Sequence, residues 1–154
     1  MKTEVAVSAA MYELALGESF TFDALVEAIE QRRGHRVRII ELDALGEQAG
    51  LCALLMETDD QDLVFHAPTE SALHRQQFVL HEFAHLILGH VDGDDPAAPD
   101  FLLPDIPRST RRRLLRRQDL DTPREILAES MADHLAAAIR ASAVRDSRFL
   151  EIFG

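Results

Sequence analysis

The pattern of apolar and polar positions divides this chain into helices at both ends and short strands between them. Residues 3–16 read as a helix stopped by Gly17. Thr21 is placed to cap a second helix over residues 22–33, which carries Phe22, Leu25, Val26 and Ile29 on one face and ends at Gly34. Residues 36–42 alternate as a strand does. Residues 51–57 and 62–66 read as two more strands, joined by the polar turn Thr58-Asp59-Asp60-Gln61. Pro68 and Thr69 open a helix that runs to Gly89 and is apolar nearly all round, as a buried helix should be. Residues 91–107, with four prolines and five aspartates, read as a long acidic loop. Residues 108–118 read as a short arginine-rich helix, and residues 123–143 as a longer final one. The expectation is an α+β fold in a single domain spanning residues 1–154: N-terminal helices, a small three-stranded sheet, a buried central helix and C-terminal helices.

Composition narrows the chemistry. A chain of 154 residues suits one core. A net charge of −11 argues against nucleic acid or an anionic membrane as the main partner. Cys52 is the only cysteine, so an internal disulfide is excluded and any metal site must use histidines and carboxylates. With no secretory signal and no membrane-spanning apolar run, the expectation is a cytoplasmic protein.

The buried helix contains His81-Glu82-Phe83-Ala84-His85, an H-E-x-x-H motif. Histidines four apart share one helix face and can hold one metal ion, with Glu82 beside it as general base. Burying three such groups in an apolar helix is costly without partners, and a shared ion supplies one. A third ligand is then needed. His90 is rejected, because five residues past His85 turns it about 140° round the helix. The final helix offers Glu125, Glu129 and Asp133. Thr122-Pro123-Arg124-Glu125 fits a capping box, which gives Glu125 a structural task, yet periodicity alone does not separate Glu125 from Glu129. Asp133, one turn beyond Glu129, could accept a hydrogen bond from the outer nitrogen of His81 or His85.

Two runs, Phe78 to His90 and Glu129-Ser130-Met131-Ala132-Asp133-His134-Leu135-Ala136, resemble the ImmA/IrrE metallopeptidases, whose motifs read close to H-E-L-x-H-L-L-L-G-H and E-x-x-A-N-x-F-A. The resemblance covers roughly residues 20–143. It implies a zincin-like fold and a gluzincin-like site with His81, His85 and Glu129 as metal ligands, Glu82 as general base, and Asp133 where the family often has asparagine. It implies Zn²⁺, with Mn²⁺ as the alternative for a His₂-carboxylate set. It also implies a protein substrate, a helix-turn-helix repressor cleaved to relieve repression. The competing expectation is a non-enzymatic regulatory or toxin–antitoxin-like partner that binds a transcription factor through the same fold.

Tyr12, His66, His74, His90, His134 and nearby arginines are the candidates for oxyanion stabilisation, each with a structural or solvent-facing role as the plainer reading. The 62–66 strand is the candidate for pairing with an extended substrate. The arginines between 108 and 117 read as a solvated face that offsets the aspartates before them. Those aspartates lack the following glutamate of a calcium loop.

Overall fold

A computed structural model describes residues 2–43, 53–89, 111–115 and 123–153. Helix α1 (Lys2–Leu14) ends ahead of Ala15 and Gly17, which both have positive φ. Helix α2 (Phe22–Arg33) starts where the Thr21 hydroxyl accepts the Ala24 N–H, and stops at Gly34 in the left-handed region at φ 69°. Strand β1 (Arg36–Glu41) follows. Strands β2 (Ala53–Thr58) and β3 (Gln61–His66) form the expected hairpin, its turn closed by the Thr58 hydroxyl on the Gln61 N–H and C=O. Helix α3 (Ala72–Leu88) is capped by Ser71, whose hydroxyl accepts the His74 N–H, and closes on Gly89 at φ 74°. It therefore begins three residues later than Thr69.

The sheet order is β1-β3-β2-β4. The expected three strands are present, and a fourth, β4 (Arg111–Leu115), pairs antiparallel with β2. This corrects the reading of residues 108–118 as a helix; residues 108–110 and 116–118 lie outside those described. Five residues are too few for periodicity to separate helix from strand. The edge of β2 offers unpaired N–H and C=O groups to any segment that reaches it, and such tertiary pairing overrides local preference. A second correction concerns substrate pairing. β3 is hydrogen-bonded to β1 on one side and to β2 on the other, so residues 62–66 have no free edge for an added strand. Helix α4 (Pro123–Phe153) runs ten residues beyond the expected end at 143. The 91–107 loop, His90, Cys52 and Thr122 lie outside the described residues.

Alternation in the hairpin decides what faces the helices. Leu55 and Val64 sit opposite one another and join a core built with Val7, Ala10 and Leu14 of α1, Leu25 and Ile29 of α2, Leu80 and Phe83 of α3, and Met131 and Leu135 of α4. Ala84, Ala128, Ala132 and Ala136 are buried in the same core. Their small side chains let α3 and α4 approach closely. No helix among the described residues is long and apolar enough to cross a membrane.

At the hairpin end of the sheet, Asp62 is fully buried and accepts Arg33 Nε at 2.5 Å and Nη2 at 3.1 Å, with His35 Nδ1 at 3.2 Å. Glu57 lies 3.5 Å from the same guanidinium. Removing one member of a buried ion pair strands the other. Asp62→Ala is expected to destabilise the fold by about 3 kcal/mol, seen as a lower urea midpoint. A midpoint equal to wild type would show that Arg33 is satisfied without it.

Candidate metal centre

The cluster is built from two helices that run antiparallel. On α3, residues 77, 81 and 85 are successive i, i+4 positions and form one stripe; on α4, residues 125, 129 and 133 do the same. The stripes meet as a ladder. Gln77 Nε2 donates to Asp133 Oδ1 at 3.1 Å, His81 Nδ1 lies 2.8 Å from Glu129 Oε2, and His85 Nε2 lies 3.2 Å from Glu125 Oε1. One diagonal completes it: His81 Nε2 lies 2.7 Å from Glu125 Oε2.

Glu125 therefore faces the Nε2 atoms of both histidines with its two oxygens. His81, His85 and Glu125 are all buried, and each brings a ligand atom to within 4.8 Å of the others. Two imidazoles and one carboxylate are the donor set of a three-ligand catalytic zinc site, and these buried groups could hold a metal ion. Glu82, beside them on α3, is 2% exposed.

The ladder places the expected ligands differently from the resemblance. Glu129 does not share the space between the histidines. Its half-exposed side chain reaches the outer nitrogen of His81. Asp133 meets Gln77 rather than either histidine. The positions observed are thus offset from the expected ones by one helical turn, about 5.4 Å along the axis. Glu125 stands where Glu129 was expected, and Glu129 where Asp133 was. The cause is the relative register of α3 and α4, a property of the packed pair. Thr122, the N-cap of the expected capping box, lies outside the described residues; the Glu125 carboxylate is turned towards the histidines. The remaining signal in the sequence was the spacing itself: Glu125 and Glu129 are an i, i+4 pair just as Glu129 and Asp133 are.

The electrostatics follow from this packing. Burial acts to raise the Glu125 carboxyl. Hydrogen bonds from His81 and His85, together with their charge, outweigh it and bring the pKa down from 4.5 to about 2. A carboxyl depressed on folding stabilises the folded state fully above its unfolded value and loses that contribution as pH falls through its folded value. In chelator-treated protein, Glu125 should contribute on the order of 3 kcal/mol above about pH 4.5, lost as pH falls towards 2. Urea unfolding of wild type and Glu125→Gln across this window should converge at the acid end. A difference that stays constant with pH would remove this assignment.

The oxyanion candidates make their contacts elsewhere. His66 Nδ1 lies 3.2 Å from the Ala67 carbonyl, His134 Nδ1 lies 2.8 Å from the Ser130 carbonyl, and His74 stacks on Phe78. Tyr12 is 86% exposed on α1. A second group, His35, Glu57 and Asp62, also brings possible ligand atoms within 4.8 Å of one another. There the Arg33 guanidinium already lies against both carboxylates, so a cation would have to displace it. The group is an ion-pair network. No family model, curated protein or solved structure matches this chain.

Proposed function

We propose that the chain is a metal-dependent endopeptidase of the ImmA/IrrE type that cleaves a helix-turn-helix transcriptional repressor and so relieves repression. The observation that carries the hydrolytic part is the convergence of His81, His85 and Glu125 in a buried position next to Glu82. The repressor as substrate rests on the family resemblance of the two motifs. Zinc is the ion this donor set suits, with manganese the alternative.

Bound between the two histidines and Glu125, zinc would supply Lewis acidity towards a peptide carbonyl and make water a better nucleophile. The chain's own groups do the rest. Glu82 accepts a proton from the attacking water as its oxygen bonds to the carbonyl carbon. The C–N bond breaks, and the proton is delivered to the departing amine nitrogen. Glu129 accepts the Nδ1 proton of His81, which fixes the tautomer and leaves Nε2 free to be a ligand. Burial keeps bulk water away from these charges and strengthens each interaction.

The test is to incubate the zinc-loaded chain with a helix-turn-helix repressor, taken from a neighbouring gene where one encodes it, and to measure fragment masses with and without chelator. A defined cut that chelator abolishes is the expected result. An intact repressor in a mixture where the metal is demonstrably bound would reject the hydrolytic reading.

A second reading, a non-enzymatic partner that holds a transcription factor, draws on one observation. His81, Glu82 and His85 are only 1–2% exposed, which leaves a peptide little access. That reading expects a stable complex with uncut repressor, whatever metal is present.

A further inference from the structure

Away from the metal centre, α1 and α4 enclose an open groove of about 1160 Å³. Its floor is apolar, formed by Met11 and Ala15 on one side and Ala137 and Ala138 on the other. Tyr12 stands at its margin, 86% exposed, and Val5, two turns back on the same helix, is 71% exposed. Helix α1 is therefore apolar on two faces. Val7, Ala10 and Leu14 serve the core, while Val5 and Tyr12 serve nothing within it. An exposed tyrosine over an apolar floor is the kind of residue that anchors a protein interface.

Charge indicates the occupant. The groove lies at the C-terminal end of α1, where the helix dipole is negative, and the last turn of α1 holds no basic residue. It holds Glu13 instead, and Glu18 follows on the same rim. A glutamate at that end of a helix adds to the negative potential rather than offsetting it. The neighbouring cations offset it only in part. Arg32 meets Glu13 at 3.6 Å, where the side chains are 39% and 65% exposed and solvent screens the pair, and Arg145 is engaged with the Ser19 hydroxyl at 3.0 Å. His134, the remaining titratable group of the lining, has its Nδ1 on the Ser130 carbonyl.

From these observations we infer that the α1/α4 groove docks a basic amphipathic helix of a partner protein. Apolar side chains of that helix would lie on Met11, Ala137 and Ala138, with Tyr12 packing over them, and its lysines or arginines would face Glu13, Glu18 and the carbonyl end of α1. The groove between two helices accepts a third helix in the ordinary helix-in-groove manner. The inference stands whether or not the metal centre is hydrolytic, since it uses none of the same residues.

Tyr12 makes the test direct. It is the only tyrosine, and the chain has no tryptophan, so intrinsic fluorescence reports from the groove itself. The probe is an 18-residue amphipathic peptide of leucine and arginine, without tyrosine or tryptophan, titrated into the full chain. A saturable change in Tyr12 emission is expected, and none with the same peptide carrying glutamate for arginine. Charge attraction to an acidic protein could act anywhere on its surface, so two double variants are compared. Glu13→Gln with Glu18→Gln should weaken binding about tenfold, the equivalent of roughly 1.4 kcal/mol. Glu27→Gln with Asp60→Asn, equal in charge but outside the lining of the groove, should leave it nearly unchanged. Tyr12→Ser, followed by anisotropy of a labelled peptide and checked for fold by circular dichroism, should lose binding. An absence of saturable binding, equal losses in the two double variants, or full binding by Tyr12→Ser would each overturn the inference.

Discussion

Replacing Glu82 with glutamine is expected to leave metal binding intact and to lower peptide cleavage by roughly 10²–10⁴-fold. Glutamine keeps nearly the same shape in the buried position but cannot take a proton from water. The groups that would hold the metal are His81, His85 and the facing carboxylate of α4, none of which changes. The discriminating measurement pairs metal content with single-turnover cleavage of the proposed repressor substrate. A variant that binds metal and still cuts at the wild-type rate would remove Glu82 from the chemistry. One that loses metal as well would show that Glu82 holds the site together rather than acting in the reaction.

The second large effect separates the two glutamates of α4. Glu125→Ala is expected to lower metal affinity by more than about 100-fold, since it removes the carboxylate that faces both Nε2 atoms. Glu129→Ala removes the partner of the outer nitrogen of His81 and should cost about 10–100-fold. The absorption spectrum of cobalt-loaded protein adds a second readout. Loss of Glu125 should change the coordination pattern, whereas loss of Glu129 should weaken loading without changing it. The reverse order of effects would return the ligand role to Glu129, as the family resemblance implies, and would mean that α4 meets α3 one turn further along when metal is bound.

Most of the fold was legible because its signals are local. Gly34 and Gly89 end their helices in the left-handed region, Thr21 caps α2, and the polar turn at residues 58–61 joins two strands at their expected places. Each depends on a few neighbouring residues. The misreadings share the opposite property. Residues 111–115 form a strand only because the edge of β2 is there to receive them. Residues 62–66 are central in the sheet only because β1 adds parallel on the far side of the hairpin. Neither fact is carried by the segment itself.

The candidate site divides in the same way. His81, Glu82 and His85 lie within five residues of one helix, and the helical repeat alone puts both imidazoles on one face. That half of the centre, and its burial in an apolar helix, belonged to the sequence. The other half comes from a helix beginning more than thirty residues later, and three carboxylates there, at 125, 129 and 133, repeat with the same four-residue spacing. Periodicity makes them equivalent by construction. Only the packing of α3 against α4, through the alanines at 84, 128, 132 and 136, chose a register and set Glu125 between the histidines. A sequence determines the face of a helix from its own repeat; which turn of a partner helix meets that face is decided when the two surfaces interlock.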